Sequence, residues 1–221
     1  MNTLDVAADM LAVEYGKASD ALLLERYVVH RDETAFAALV ERYRQLVVRI
    51  CRRALGNHHD VEDAAQDTFL ALANGAASIE NPASLASWLY GVAARTACKL
   101  AAKRGKRREQ ALVEDVAASG DEWAIATQYM QQLLDEEMEH LPPKYRDSLI
   151  LHYLMGKTAK EVAAQLETTV GSVNGYLKRG KRELRIRLAM RGAGLAVSLG
   201  AVHAAEGALQ ERTRRPSEKN L

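Results

Sequence analysis

Residues 158–188, TAKEVAAQLETTVGSVNGYLKRGKRELRIRL, constrain the fold more than any other stretch. Val162, Ala163 and Leu166 share one face of a short helix. A tight turn, Glu167–Thr168–Thr169, follows, and a longer helix begins near Val170 with Thr169 as its N-cap. The small Ala163 lets two helices cross closely, and Val173 and Leu177 supply the contact between them. This is the layout of a helix-turn-helix. One position is irregular. The turn usually opens on a glycine in the left-handed conformation, and here Glu167 holds that place: either it bears a strain of about 1 kcal/mol or the turn is shaped differently.

On a wheel of the longer helix, Leu177, Gly180, Leu184 and Leu188 fall within about 60° of Val173 and form the buried stripe. The opposite arc carries Ser172, Asn174, Gly175, Lys178, Arg179 and Arg182, with Tyr176 on the flank. Such residues donate to phosphates and base edges, so this face is expected to bind duplex DNA. Gly175 is expected to keep that face low, and Gly180 to let a second helix pack closely.

The rest of the chain repeats the helical signal. Runs of alternating β-branched and polar residues are nearly absent, while Ala, Leu, Arg and Glu abound. The expected fold is all-α: two small helical domains joined by a flexible linker, the second carrying the helix-turn-helix. Residues 1–19 form a lead-in, 20–108 the first domain, 109–124 the linker, 125–191 the second domain and 192–221 a weakly ordered tail. Breaks are expected near Arg31 and Asp32, at Gly56, at Asn81–Pro82 and at Leu141–Pro142–Pro143. In DVEDAAQDTFLALA, Asp60 is the expected N-cap, and Val61, Ala65, Thr68 and Leu72 face inward. Asp63, Gln66, Asp67 and Leu70 lie together on the other side, and a leucine among acids suits a protein partner with a basic, partly apolar groove.

The net charge of +1 points to no partner, but its distribution does. Residues 99–108 hold six basic residues and no acid, 114–139 eight acids and no base, and 178–191 seven basic residues against Glu183 alone. Two anion-binding surfaces separated by a repelling segment follow. Cys51 and Cys98 read as lone thiols in a reducing cytoplasm. The first residues lack the order of a signal peptide, and no apolar run approaches the ~20 residues of a membrane span. His58, His59, Asp60 and Asp63 are the one His/carboxylate cluster. Without a second ligand set they are expected to hold no metal, and the chain is expected to be no enzyme and to need no cofactor.

The segments DVEDAAQDTFL, SLASWLYGVAARTACKLAAKRGKRR and LPPKYRDSLILHYLMGKTAKEVAAQLETTVGSVNGYLKRGKRELR, in that order, resemble the extracytoplasmic-function (ECF) sigma factors of bacterial RNA polymerase. The resemblance spans about residues 20–190. It implies a cytoplasmic promoter-specificity factor whose partners are core RNA polymerase, promoter DNA and an anti-sigma factor. Asp60, Asp63, Gln66, Asp67 and Leu70 match the family's main polymerase contact. Residues 87–108 match the part that melts and reads the −10 element, and the loop 74–84 matches the part that captures a flipped base. Asn74, Ser84, Trp88, Lys99, Lys103, Arg104 and Arg107 are the resulting −10 candidates. Trp88 and Tyr90 are the rings available for stacking, although the family pattern puts Trp88 in the core. Thr169, Ser172, Asn174, Gly175, Tyr176, Lys178, Arg179 and Arg182 fall where the family reads the −35 element as duplex. The family usually has basic residues where Asn174 and Tyr176 stand, which implies an altered −35 preference. The tail after Arg191 has no counterpart in the minimal family layout. An ordinary helix-turn-helix regulator remains the alternative.

Overall fold

The computed structural model describes residues 15–111 and 122–213, with side chains described for 15–104 and 129–192. Among the described residues all regular structure is helical. Helix α1 (Asp20–His30) starts where the Ser19 side chain accepts from the Leu22 N–H, and it ends at Arg31, which sits in the left-handed region at φ 55°. Asp32 then caps α2 (Glu33–Ala54) by accepting from the Thr34 and Ala35 amides. The break expected near Arg31 and Asp32 is therefore a helix stop followed at once by a helix start.

Helix α3 (His58–Gly75) is capped by Asn57, whose side chain accepts from the His59 N–H. This corrects the expectation that Asp60 is the cap. Asp60 lies inside the first turn, 4% exposed, and pairs with Arg104. Two short 3-10 turns, Ala76–Ser78 and Pro82–Ser84, lead into α4 (Leu85–Ala111). That helix carries Gly105 in its interior and runs to Ala111, past residue 109, where the linker was expected to begin. One mid-helix glycine costs only about 1 kcal/mol and does not end a long helix by itself.

Helices α2, α3 and α4 enclose the first core. Leu39, Tyr43, Val47 and Ile50 of α2 meet Leu72 of α3 and Leu85 and Leu89 of α4, with Leu23 of α1 at one side, all essentially without exposure. Cys51 is buried there, and burial pushes its thiol up to about 12. The N-terminal edge is tied down by Arg42. Its guanidinium pairs with the buried Asp20 carboxylate at 2.5 Å and donates to the backbone oxygens of Tyr15, Gly16 and Ala18 at 3.1, 3.2 and 2.7 Å. The Tyr43 hydroxyl donates to the same carboxylate at 2.5 Å. Removing Arg42 leaves a buried charge and three carbonyls without their donor. Arg42→Ala is expected to cost about 3 kcal/mol of stability, read as a lower urea midpoint.

The second unit comprises α5 (Glu122–Glu139), α6 (Pro143–Leu149), α7 (Ala159–Gln165) and α8 (Val170–Thr213). The stretch KYRDSLILHYLMG is not one regular helix. After Leu149 it widens into a π-helical turn, Ile150–Leu154, closed by the Met155 N–H on the Ile150 oxygen at 3.0 Å. Ile150, Leu151, Val162, Val173 and Leu177 form this unit's core. None of the described helices is long and apolar enough to cross a membrane.

The two units pack together through polar contacts. The Tyr90 hydroxyl donates to Asp135, and Ser84 and Ser87 both donate to Asp147, the former at 2.7 Å. Arg95 pairs with Glu139 at 2.5 Å, and Arg49 donates to the Leu154 oxygen at 2.8 Å. The Gln165 amide reaches Asp20 at 3.1 Å.

Candidate nucleic-acid interface

Three surfaces carry the candidate residues. The first is the outer side of α3. Asp63, Gln66, Asp67 and Leu70 all stand exposed there, Leu70 at 53%. The inner side buries Val61, Ala64, Ala65, Thr68 and Leu72, so the helix has one apolar and one acidic face. Asp60 does not share the outer face. Grouping it with Asp63, Gln66 and Asp67 is corrected by its burial and by its pairing with Arg104, which fastens the start of α3 to α4. Among the described residues no group of His, Cys, Asp and Glu is arranged to hold a metal ion.

The second surface is a cleft of about 470 Å³ beside the loop between α3 and α4. Asn81, Ser84, Trp88 and Arg95 line it from the first unit, and Glu139 and Arg146 from the second. Trp88 is half-buried, and its ring lies 3.6 Å from where a Cβ on Gly75 would be. It therefore packs partly into the core and presents its remaining face to the cleft. Tyr90 is not available for stacking. It is 1% exposed and its hydroxyl is engaged by Asp135, so that expectation is corrected. Asn74 is exposed at the end of α3, and Lys99 and Lys103 are exposed along α4. Arg104 is half exposed although paired with Asp60. Arg107 lies in α4, but its side chain is outside the described residues, as are those of Lys106 and Arg108.

Sequence reasoning missed the acids at the junction of the two units. Asp135 and Asp147 are buried there behind Tyr90, Ser84 and Ser87, and Glu139 lines the cleft itself. Burial pushes the Asp135 carboxyl above the usual range, against the opposing pull of the Tyr90 hydroxyl and the Arg53 guanidinium 3.7 Å away. The Tyr90 hydroxyl is itself pushed up, first by burial and then by Asp135. For Asp135 and Glu139 the sequence signal was the acid-rich run 114–139, read only as a repelling segment, whereas Asp147 lies outside it.

The third surface is the helix-turn-helix. Thr158 and Glu161 form a reciprocal capping box at the start of α7. Glu167 adopts φ 50°, so the turn keeps its usual left-handed shape and bears the strain of a non-glycine residue. The Thr168 N–H closes the turn on the Ala163 oxygen at 2.9 Å, and Thr169 caps α8 by accepting from the Ser172 N–H at 3.1 Å. Val162, Ala163, Val173 and Leu177 are buried between the helices. Asn174, Lys178, Arg179 and Arg182 are exposed on the other side, while Ser172, Gly175 and Tyr176 are half-buried. Two residues outside the motif join this edge, Lys144 and Tyr145 of α6, whose cation and ring lie against Tyr176.

Two family models match the chain: sigma-70 region 2 over residues 39–108 and sigma-70 region 4 over residues 131–184. The ECF RNA polymerase sigma factor SigW of Bacillus subtilis is 27% identical over 173 residues, which are 71% of this chain and 90% of that one. The ECF RNA polymerase sigma factor SigE of Mycolicibacterium smegmatis is 29% identical over 167 residues, 72% of this chain and 64% of that one. Among solved structures, the sigma factor RpoE from Bartonella quintana, in complex with the anti-sigma factor NepR, is 18% identical over 70% of this chain and 96% of its own, with a TM-score of 0.34.

Proposed function

Since the chain belongs to the ECF group of the sigma-70 family, whose members serve RNA polymerase in promoter-specific initiation, we propose that it joins core RNA polymerase through the outer face of α3. In this reading the cleft beside Trp88, with Lys99 and Lys103, receives the −10 element as a single strand, and α8 reads the −35 element in the major groove. The observation that carries the reading is that one chain bears a cleft beside Trp88, a helix-turn-helix with an exposed basic face, and an acidic, leucine-bearing face on α3. A duplex-binding regulator needs only the third surface. An anti-sigma factor and a cytoplasmic location belong to the same proposal.

The physical steps follow from these surfaces. Extruding a base costs a few kcal/mol of stacking, and a shaped cleft with cations along the backbone offsets it. The half-buried Trp88 ring and the Asn81 amide are the groups at hand for an extruded base. The described arrangement keeps this cleft walled by Glu139 and holds Ser84 and Ser87 on Asp147. A polyanion entering it meets carboxylates, so the units must part before the −10 strand is seated. Asn174 and Tyr176 are expected to give a −35 preference unlike that of relatives with basic residues there.

Duplex binding with and without core polymerase separates this reading from an ordinary regulator. The isolated chain is expected to bind promoter duplex weakly, and core enzyme to make binding specific. Specific binding by the chain alone, unaltered by core enzyme, would favour the regulator.

A further inference from the structure

Helix α8 carries glycine at 175 and 180, and each stands at a tight contact. A Cβ on Gly180 would lie 3.1 Å from the Tyr145 Cβ and 3.1 Å from the Leu149 Cδ1. Its absence lets α6 approach α8 and brings the Tyr145 ring beside that of Tyr176, with centroids 5.9 Å apart and planes 47° apart. Cations flank the pair. The Arg179 guanidinium lies 5.9 Å from the Tyr145 centroid and 5.7 Å from that of Tyr176, and the Lys144 ammonium lies 5.5 and 5.7 Å from the same rings. These distances fall within the ~6 Å over which a ring face attracts a cation. A Cβ on Gly175 would sit 3.1 Å from the Arg179 Nη2, so the guanidinium fills the space that a side chain at 175 would take.

We propose that Tyr145, outside the recognition helix, is a positioning residue for base reading. Together with Tyr176 it holds the Arg179 guanidinium in one plane, and Gly175 is the slot that admits it. The inference rests on the proposal that α8 reads the −35 duplex. Bidentate recognition of a guanine edge needs a guanidinium of fixed plane and direction. Two ring faces and a helix groove supply that restraint to an otherwise exposed side chain. Lys144, a point charge with freely rotating donors, needs no fixed plane and suits a phosphate. The cluster thus assigns base reading to Arg179 and backbone contact to Lys144. It also gives Tyr176 a role in place of a basic residue: it supports a cation rather than being one.

The test uses holoenzyme reconstituted from core polymerase and the full chain, transcribing a library randomised across the −35 element, with transcripts sequenced. Tyr145→Leu is expected to flatten the base preference about tenfold at the position that Arg179→Ala also flattens, leaving the other positions as they were. Tyr145→Phe keeps the ring face and is expected to keep the wild-type preference. Gly175→Ala leaves both rings and suits a helix better, so it is expected to fold at least as well and to flatten the same position by displacing the guanidinium. Lys144→Ala is expected to lower binding evenly across sequences and to reduce the salt slope by about one. The proposal is overturned if Tyr145→Leu and Gly175→Ala keep the wild-type preference, or if they weaken every sequence evenly. If wild-type holoenzyme selects no −35 sequence at all, the promoter reading fails, and this one with it.

Discussion

Leu70→Asp is expected to reduce transcription from a cognate promoter by about thirtyfold or more while the chain stays folded. Leu70 is 53% exposed on the outer face of α3, so the substitution removes little from the core. Exposed substitutions of this kind change stability by only about 0.5 kcal/mol. At an interface the same leucine is a different case. An apolar anchor among acids fills a partner's apolar pocket while its neighbours meet a basic rim, and losing an interface anchor costs about 2 kcal/mol or more. That corresponds to roughly thirtyfold in affinity. The measurement is transcript yield at limiting sigma concentration beside a thermal melt. A normal melt with a normal yield would remove Leu70 from the polymerase surface. A collapsed melt would show that the helix depends on Leu70 for folding.

The second large effect is expected at Asp147, a buried carboxylate that accepts from Ser84 and Ser87 across the junction of the two units. Hydrogen bonds to a charged group contribute about 1.5–3 kcal/mol each. Losing even one at the low end shifts a closed–open equilibrium about tenfold. Asp147→Ala is therefore expected to raise the isolated chain's affinity for a single-stranded −10 oligonucleotide about tenfold. Holoenzyme activity is expected not to fall, because in the proposed function the units part before the −10 strand is seated. Unchanged or weaker oligonucleotide binding would mean that this contact does not guard the cleft.

The helix-turn-helix was legible in the sequence because everything that specifies it is local. Apolar spacing set the two helices, and the caps at Thr158 and Thr169 lie next to the residues that they cap. The outer face of α3 was legible for the same reason. The conformation of Glu167 was not decided by the sequence; only the structure shows that it takes the left-handed region rather than reshaping the turn. The misplacements have non-local causes. Asn57 and Asp60 are both good capping residues, and the choice between them is decided by Arg104 on another helix, which draws Asp60 inward. Tyr90 looked like a stacking ring because its burial depends on Asp135, far along the chain on α5. The acid-rich run was counted as charge, whereas its function in the fold depends on its meeting Tyr90, Arg53, Arg95 and Arg191. Tyr145 carried no signal, because its place beside Arg179 follows from Gly180 and from the crossing of α6 on α8.

Run-off transcription decides whether the chain confers promoter specificity on core RNA polymerase. Core RNA polymerase is mixed with the chain and a library of random upstream sequences, and the transcripts are sequenced. The account predicts transcripts only when both are present, from templates sharing two elements, with a −35 sequence shaped by Asn174 and Tyr176. No transcript above the core-only background from any template would contradict it.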